Sequence, residues 1–258
     1  MSRLLLLLLL LFGSGYGITL KIYSLDITDE MLYRDIKPKF EARYPNIHLL
    51  ILRNLNYFAI QKKLFKWPRD EDVVITFSKQ LKGHKNEFQH ITPIGYGYLA
   101  IYSNKQPPVT LQNFSNQNKV IIAANKNPAG VLTAYALYNF YKNAQTVKEL
   151  YQKCPTFPYS AIDIVKMVKY QADVDAGVSW FAYSKWKRYG FFKLKAFFIP
   201  PQYYKPPVLI VAINPNPDAM LVNKLTIQQR TAKFEAAKTF IQFLTSQEGQ
   251  KILRKWGF

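Results

Sequence analysis

The sequence holds a single cysteine, Cys154, which rules out an intramolecular disulfide, a four-thiolate zinc site and a CxxC redox pair. Histidine is nearly as scarce. His48, His84 and His90 lie far apart without zinc-ligand spacing and read as surface or loop residues, so no metal site is expected. No G-x-S-x-G elbow, phosphate-binding glycine-lysine loop or H-E-x-x-H helix occurs, which leaves no constellation for catalysis and no cofactor to predict. The paired carboxylates at Asp70-Glu71-Asp72 and at Asp173 and Asp175 read as structural. Acidic residues are few overall. Sixteen Asp and Glu face 35 Lys and Arg, a net charge of +19 that attracts nucleic acid, anionic lipid or small oxyanions, although a basic solvated surface has the same composition. A basic, aromatic stretch over 180–198, with Lys185, Lys187, Arg188, Lys193 and Lys195, fits either a polyanion-facing surface or a strand with one solvated face.

The N-terminal apolar run, residues 4–12, is nine residues long, whereas a membrane-spanning helix needs roughly 20. Arg3 precedes it and the small residues Gly15 and Gly17 follow, the pattern of a cleavable export signal over residues 1–17 cut after Gly17. Its eight consecutive leucines show neither strand alternation nor a helical stripe, and no cysteine follows for lipid attachment. A periplasmic location follows as an expectation, and with it the absence of a nucleic-acid partner.

What the chain has in abundance is apolar and aromatic surface. Residues of apolar type make up 49% of it, with 18 Tyr, 18 Phe and 4 Trp, enough for a sizeable core in 258 residues. Strand patterns at 18–24, 46–52, 72–77, 95–102, 120–124, 176–181, 193–199 and 208–213 alternate with helical patterns at 28–44, 57–65, 130–141, 161–169, 231–244 and 247–255. Pro38 predicts a kink in the first helix and Pro128 opens the helix at 130–141. The alternation predicts an α/β fold with parallel or mixed sheets covered by helices on both faces.

The C-terminal segment AAKTFIQFLTSQEGQKILRKWGF, residues 236–258, resembles the ending of bacterial periplasmic solute-binding proteins of the type in which the chain crosses twice between lobes. FEARYPNI (40–47), DVVITFS (72–78), NKNPAGVLTAYAL (125–137) and DAGVSWFAYSK (175–185) fall in the order this family uses, and the NPAG segment and the ending look most like the molybdate- and tungstate-binding branch. The resemblance implies a two-lobed fold, each lobe a mixed, mostly parallel sheet flanked by helices, with the ligand cleft between them. It implies a discontinuous first lobe, 18–95 and 206–258, and a second lobe, 96–205. Crossings are expected at 92–98 and in the proline-rich PPQYYKPP, 200–207.

The function implied is capture of a small tetrahedral oxyanion, molybdate or tungstate, by hinge closure of a monomer, and delivery to the permease of an ABC importer. The implied ligand donors are the Ala129 and Gly130 amides, the Tyr183 hydroxyl, with Trp180 competing under a shifted alignment, hydroxyls of Ser24 and Thr28, and the amides of Asn54 and Asn56, with Arg53 beside them. Asp26 stands where the branch offers a neutral residue, and a carboxylate there opposes an anion. Phosphate, sulfate or a metal ion therefore stay open as ligands. A secreted enzyme on the same scaffold or a basic lipid- or polyanion-binding protein are the alternatives from other classes.

Overall fold

The computed structural model describes residues 17–64, 69–215 and 225–258. The expected export signal, apart from Gly17, lies outside the described residues. Among the described residues, nine strands form two sheets. The first is ordered β2-β1-β3-β9-β4, where β1 is Ile18–Leu25, β2 Ile47–Leu55, β3 Val73–Phe77, β4 Gln89–Tyr96 and β9 Val208–Ile213. The second is ordered β6-β7-β5-β8, where β5 is Leu99–Ser103, β6 Val120–Ile122, β7 Ala176–Trp180 and β8 Lys195–Phe198.

Both sheets are mixed. β1 pairs in parallel with β2 and β3, and β6 with β7, but β9 runs antiparallel between β3 and β4, and β5 runs antiparallel between β7 and β8. Strands that enter a sheet on the return from the other lobe need no helical crossover, and among the described residues four antiparallel pairs stand beside three parallel ones. The central strands β3, β5 and β7 are buried along their whole length, which explains their continuous apolar sequences.

The helices are α1 (Asp29–Met31), α2 (Lys37–Arg43), α3 (Tyr57–Leu64), α4 (Leu111–Phe114), α5 (Pro128–Tyr141), α6 (Ala144–Gln152), α7 (Ala161–Tyr170), α8 (Ile227–Thr245) and α9 (Gln247–Lys255). The single helix expected over 28–44 is a succession of a 3-10 turn at Asp26–Thr28, α1, a wide π turn at Leu32–Ile36 and α2. Pro38 sits in the first turn of α2, where its missing N–H costs nothing, and the irregularity falls in the turn before it.

The strand expected over 95–102 is two strands in different sheets. The break falls at Gly97, whose Cβ would lie 2.8 Å from the Phe77 ring and 3.1 Å from Trp180. Only a residue without a side chain lets the backbone pass so close to both rings. The two connections between sheets are tied together there: the Gly97 N–H donates to Pro207 O at 2.9 Å, and the Tyr204 hydroxyl accepts from the Leu99 N–H at 2.7 Å.

α8 and α9 close the first lobe. Phe240 and Phe243 of α8 meet the Phe40 ring edge-on at 5.2 and 5.5 Å, so the C-terminal pair is bound to α2 by aromatic packing. The Ser246 hydroxyl donates to Phe243 O at 2.7 Å and accepts from the Gly249 N–H at 3.2 Å, which ends one helix and starts the next. The Trp256 indole N–H donates to Asp35 at 2.7 Å, fixing α9 to the π turn.

Candidate functional site

The lobes meet around the chain that leaves the strand ends. Leu25, Asp26 and Ile27 follow β1, Asn56 and Tyr57 open α3, Asn127 precedes α5 and Ala161 opens α7, and together with Phe77 and Trp180 they line one cavity. Its volume is about 10 Å³, room for one water molecule. The contacts across the junction are aromatic and polar. Phe77 and Trp180 approach to 5.0 Å between ring centroids and Phe58 and Tyr159 to 6.0 Å, while the Glu30 carboxylate accepts from the Lys187 and Arg188 amides at 2.9 and 3.1 Å.

Three helices, α3, α5 and α7, start at this cavity, and their first turns carry the partial positive charge of unpaired N–H groups. The Asn127 side chain caps α5, its Oδ1 accepting from the Ala129 N–H at 2.9 Å, while its amide donates to Tyr159 O at 2.7 Å. Asn56 caps α3 in the same way, accepting from the Ala59 N–H at 2.9 Å.

Asp26 lies among these helix starts and is 8% exposed. Burial pushes its carboxyl up from 3.8 to about 7, and nearby Asp163 adds to the rise, while the Tyr183 hydroxyl, the Ile27 amide and Lys166 oppose it. Tyr183 is fully buried against Asp26, and among the described residues its hydroxyl has no well-aligned hydrogen-bond partner. A buried hydroxyl in that position costs stability. Tyr183→Phe is therefore expected to leave the unfolding free energy unchanged or raise it by up to about 1 kcal/mol, measured by urea denaturation. A loss of more than that would show that the hydroxyl supports the fold.

The other expected donors are placed differently. Ser24 and Thr28 are fully buried, and both hydroxyls are used internally, Ser24 donating to Asp29 at 3.3 Å and Thr28 to Leu25 O at 2.7 Å. The Asn54 N–H donates to Asp29 at 2.7 Å from a residue with φ of 61°. Ser24, Asp29 and Asn54 thus form a polar cluster, and burial lifts the Asp29 carboxyl to about 7. The Ala129 N–H faces Asn127. Gly130 sits against the Ala123 and Ala124 carbonyls, where a Cβ would come within 2.4 and 2.3 Å. Of the expected set, Asp26, Asn56 and the competing Trp180 border the cavity, and Tyr183 packs on Asp26.

Sequence reasoning passed over Asn127, Tyr57, Phe77 and Ala161. Asn127 was within reach, since asparagine immediately before a helix-opening proline is an N-cap signal. Tyr57, Phe77 and Ala161 are ordinary strand and helix residues whose position only folding reveals.

The comparisons with known proteins agree with this architecture. Over 92% of this chain and 97% of the other, the fold superposes on the periplasmic molybdate-binding protein of Azotobacter vinelandii with a TM-score of 0.68 and 15% identity. The substrate binding domain assigned to a molybdenum ABC transporter from Clostridium difficile gives 0.69 at 17% identity, over 93% of this chain and 98% of that one. A periplasmic thiamin binding protein gives 0.64 at 18% identity, over 95% and 84%. Identities this low establish a shared two-lobed fold. No curated protein matches the chain by sequence. The family model for bacterial extracellular solute-binding proteins, however, matches residues 67–258, and the chain belongs to that family.

Proposed function

We propose that the chain is the periplasmic solute-binding component of an ABC importer, that its lobes are divided as 18–95 with 206–258 and 96–205, and that it holds a small tetrahedral oxyanion of the molybdate and tungstate class between them. The observation that carries this reading is the start of three helices, α3, α5 and α7, at one interlobe cavity. The positive ends of helix dipoles that meet at one cavity favour negative charge there. No chemistry is asked of the protein. Its function is affinity, closure and presentation to a permease.

Asp26 has to be neutral for this ligand. With its carboxyl titrating near 7 it carries a proton in a substantial fraction of molecules at neutral pH, and a protonated carboxyl donates a hydrogen bond where an ionised one repels. A second reading rests on the same residue. An ionised Asp26 beside the Tyr57, Phe77 and Trp180 rings is the environment of a small organic cation.

A thermal-shift screen of residues 18–258 separates the two. Molybdate, tungstate, phosphate and sulfate are compared with thiamin and with divalent metal ions. A ligand at 100 times its dissociation constant adds about 2.7 kcal/mol and raises the melting temperature by roughly 5–10 °C. A shift confined to an oxyanion supports the proposal. A shift confined to thiamin or a metal ion replaces it with the cation reading, and no shift with any oxyanion refutes it.

A further inference from the structure

Beside the cleft, a second and much larger hollow of about 400 Å³ opens at the lobe junction. Asp29, Glu30, Tyr33 and Arg34 from the segment after β1, Arg53 of β2, and Trp186 and Arg188 beyond β7 line it. Small-molecule sites have volumes in this range, and it exceeds what a tetrahedral oxyanion fills.

Its charges do not cancel. Glu30 is met by Arg34 and by the Lys187 and Arg188 amides, and Asp29 by the Asn54 N–H and the Ser24 hydroxyl. Burial also holds Asp29 largely protonated below about pH 7. Among the described residues, Arg34 with Glu30 is the only ion pair formed by the residues lining the hollow. Arg53 stands over the Tyr33 ring with its guanidinium carbon 3.2 Å from the centroid, and the Arg188 guanidinium carbon is 5.0 Å from the Tyr189 ring centroid. Stacking of this kind orients the planar fork and leaves its N–H edge for a carboxylate or phosphate.

The Trp186 side chain supplies the remaining observation. It is 1% exposed, it forms part of the wall, and its indole N–H, a donor with no accepting capacity, is buried without a partner among the described residues. A buried donor of this kind is costly unless something accepts from it.

We propose that this hollow is a second ligand site, which takes a small organic dianion, a dicarboxylate or a phosphomonoester, held by the guanidinium groups of Arg53 and Arg188 and by the indole N–H of Trp186. Paired forks and a neutral donor match the planar or tetrahedral oxygens of such groups. Because Arg53 belongs to one lobe and Trp186 and Arg188 to the other, occupancy favours the closed arrangement over an open one. The proposal does not depend on which ligand the neighbouring cleft holds.

The test titrates residues 18–258 with succinate, glycerol 3-phosphate and, as a monoanion control, acetate at physiological salt, read by calorimetry and by tryptophan fluorescence. Saturable binding of succinate or glycerol 3-phosphate is expected, and the stronger of the two identifies the source of the dianion. Arg53→Gln and Arg188→Gln are each expected to weaken it tenfold or more, and Trp186→Phe to weaken it with the ring retained. Unaltered melting temperatures of the arginine variants show that the fold survives. Binding of neither dianion overturns the proposal, as does acetate binding as tightly, or affinity that both arginine variants retain. Whether the oxyanion shift persists in Arg188→Gln separates failure of this site from failure of the cleft.

Discussion

Gly130→Ala is expected to lower the stability of the protein by about 3 kcal/mol or more and its melting temperature by roughly 5–10 °C. The added Cβ would meet the Ala124 carbonyl oxygen at 2.3 Å, that of Ala123 at 2.4 Å and the Ala123 carbonyl carbon at 2.9 Å. All three are backbone atoms in the turn from β6 to α5, so no side chain can swing aside. The turn has to open instead. Opening it moves the start of α5 and with it Asn127, whose bonds to the Ala129 N–H and Tyr159 O fix that side of the cavity. Stability and ligand affinity should therefore fall together. Thermal and urea unfolding of the variant check the first and the ligand screen the second. A variant that melts with the wild type would mean that the turn yields without cost, and the close approach would then say nothing about the site.

Asp26→Asn should stabilise the protein at alkaline pH and have a much smaller effect at pH 4.5. The sign follows from the direction of the shift. In the unfolded chain Asp26 releases its proton near its ordinary value of 3.8, and in the folded protein only near 7. Between those values the folded state binds more protons, so stability falls as pH rises from about 4 to about 7 and then levels off. A shift of that size corresponds to a penalty on the order of 4 kcal/mol above pH 7. Asp29 and Glu71, both raised to about 7 by burial, lose stability through the same window, so the wild type should be markedly more stable at pH 5 than at pH 8. Asparagine keeps the shape of Asp26 and removes its share of the loss.

Urea denaturation at half-unit steps from pH 4.5 to 8.5 measures both curves. Wild-type stability that stays flat or climbs across pH 5–7.5 contradicts the argument, and so does an Asn variant no more stable than wild type at pH 8. The same variant bears on the ligand. Oxyanion binding should tighten from pH 8 to pH 6 in the wild type and lose most of that dependence in Asp26→Asn.

The amino-acid sequence by itself determined the order and type of most elements, because burial on one face imposes a period that is visible residue by residue. β9 and α9 fall where their apolar patterns place them, and the cap at Ser246 and the opening of α5 at Pro128 are local chemistry, complete within a few residues. The family followed from such segments, since a scaffold is written along the whole chain. Pairing was not written there. Nothing in 95–102 states that Gly97 divides two sheets; that depends on Phe77 and Trp180 closing from elsewhere in the chain. Nor does it show that β9 returns antiparallel between β3 and β4, since the apolar period of a buried strand is indifferent to direction.

The site divides in the same way. Asp26, Asn56 and Tyr183 could be named from their segments, but the uses of their neighbours could not. Ser24 and Thr28 look like free hydroxyls in one dimension and prove to be spent on Asp29 and Leu25 in three, because a buried hydroxyl must find its partner inside the fold. Only tertiary structure gathered three helix starts around a carboxyl, and only it set Arg53 and Arg188, more than a hundred residues apart, on the wall of one hollow. Charge and burial depend on distance in space, and distance along the chain carries little of that information.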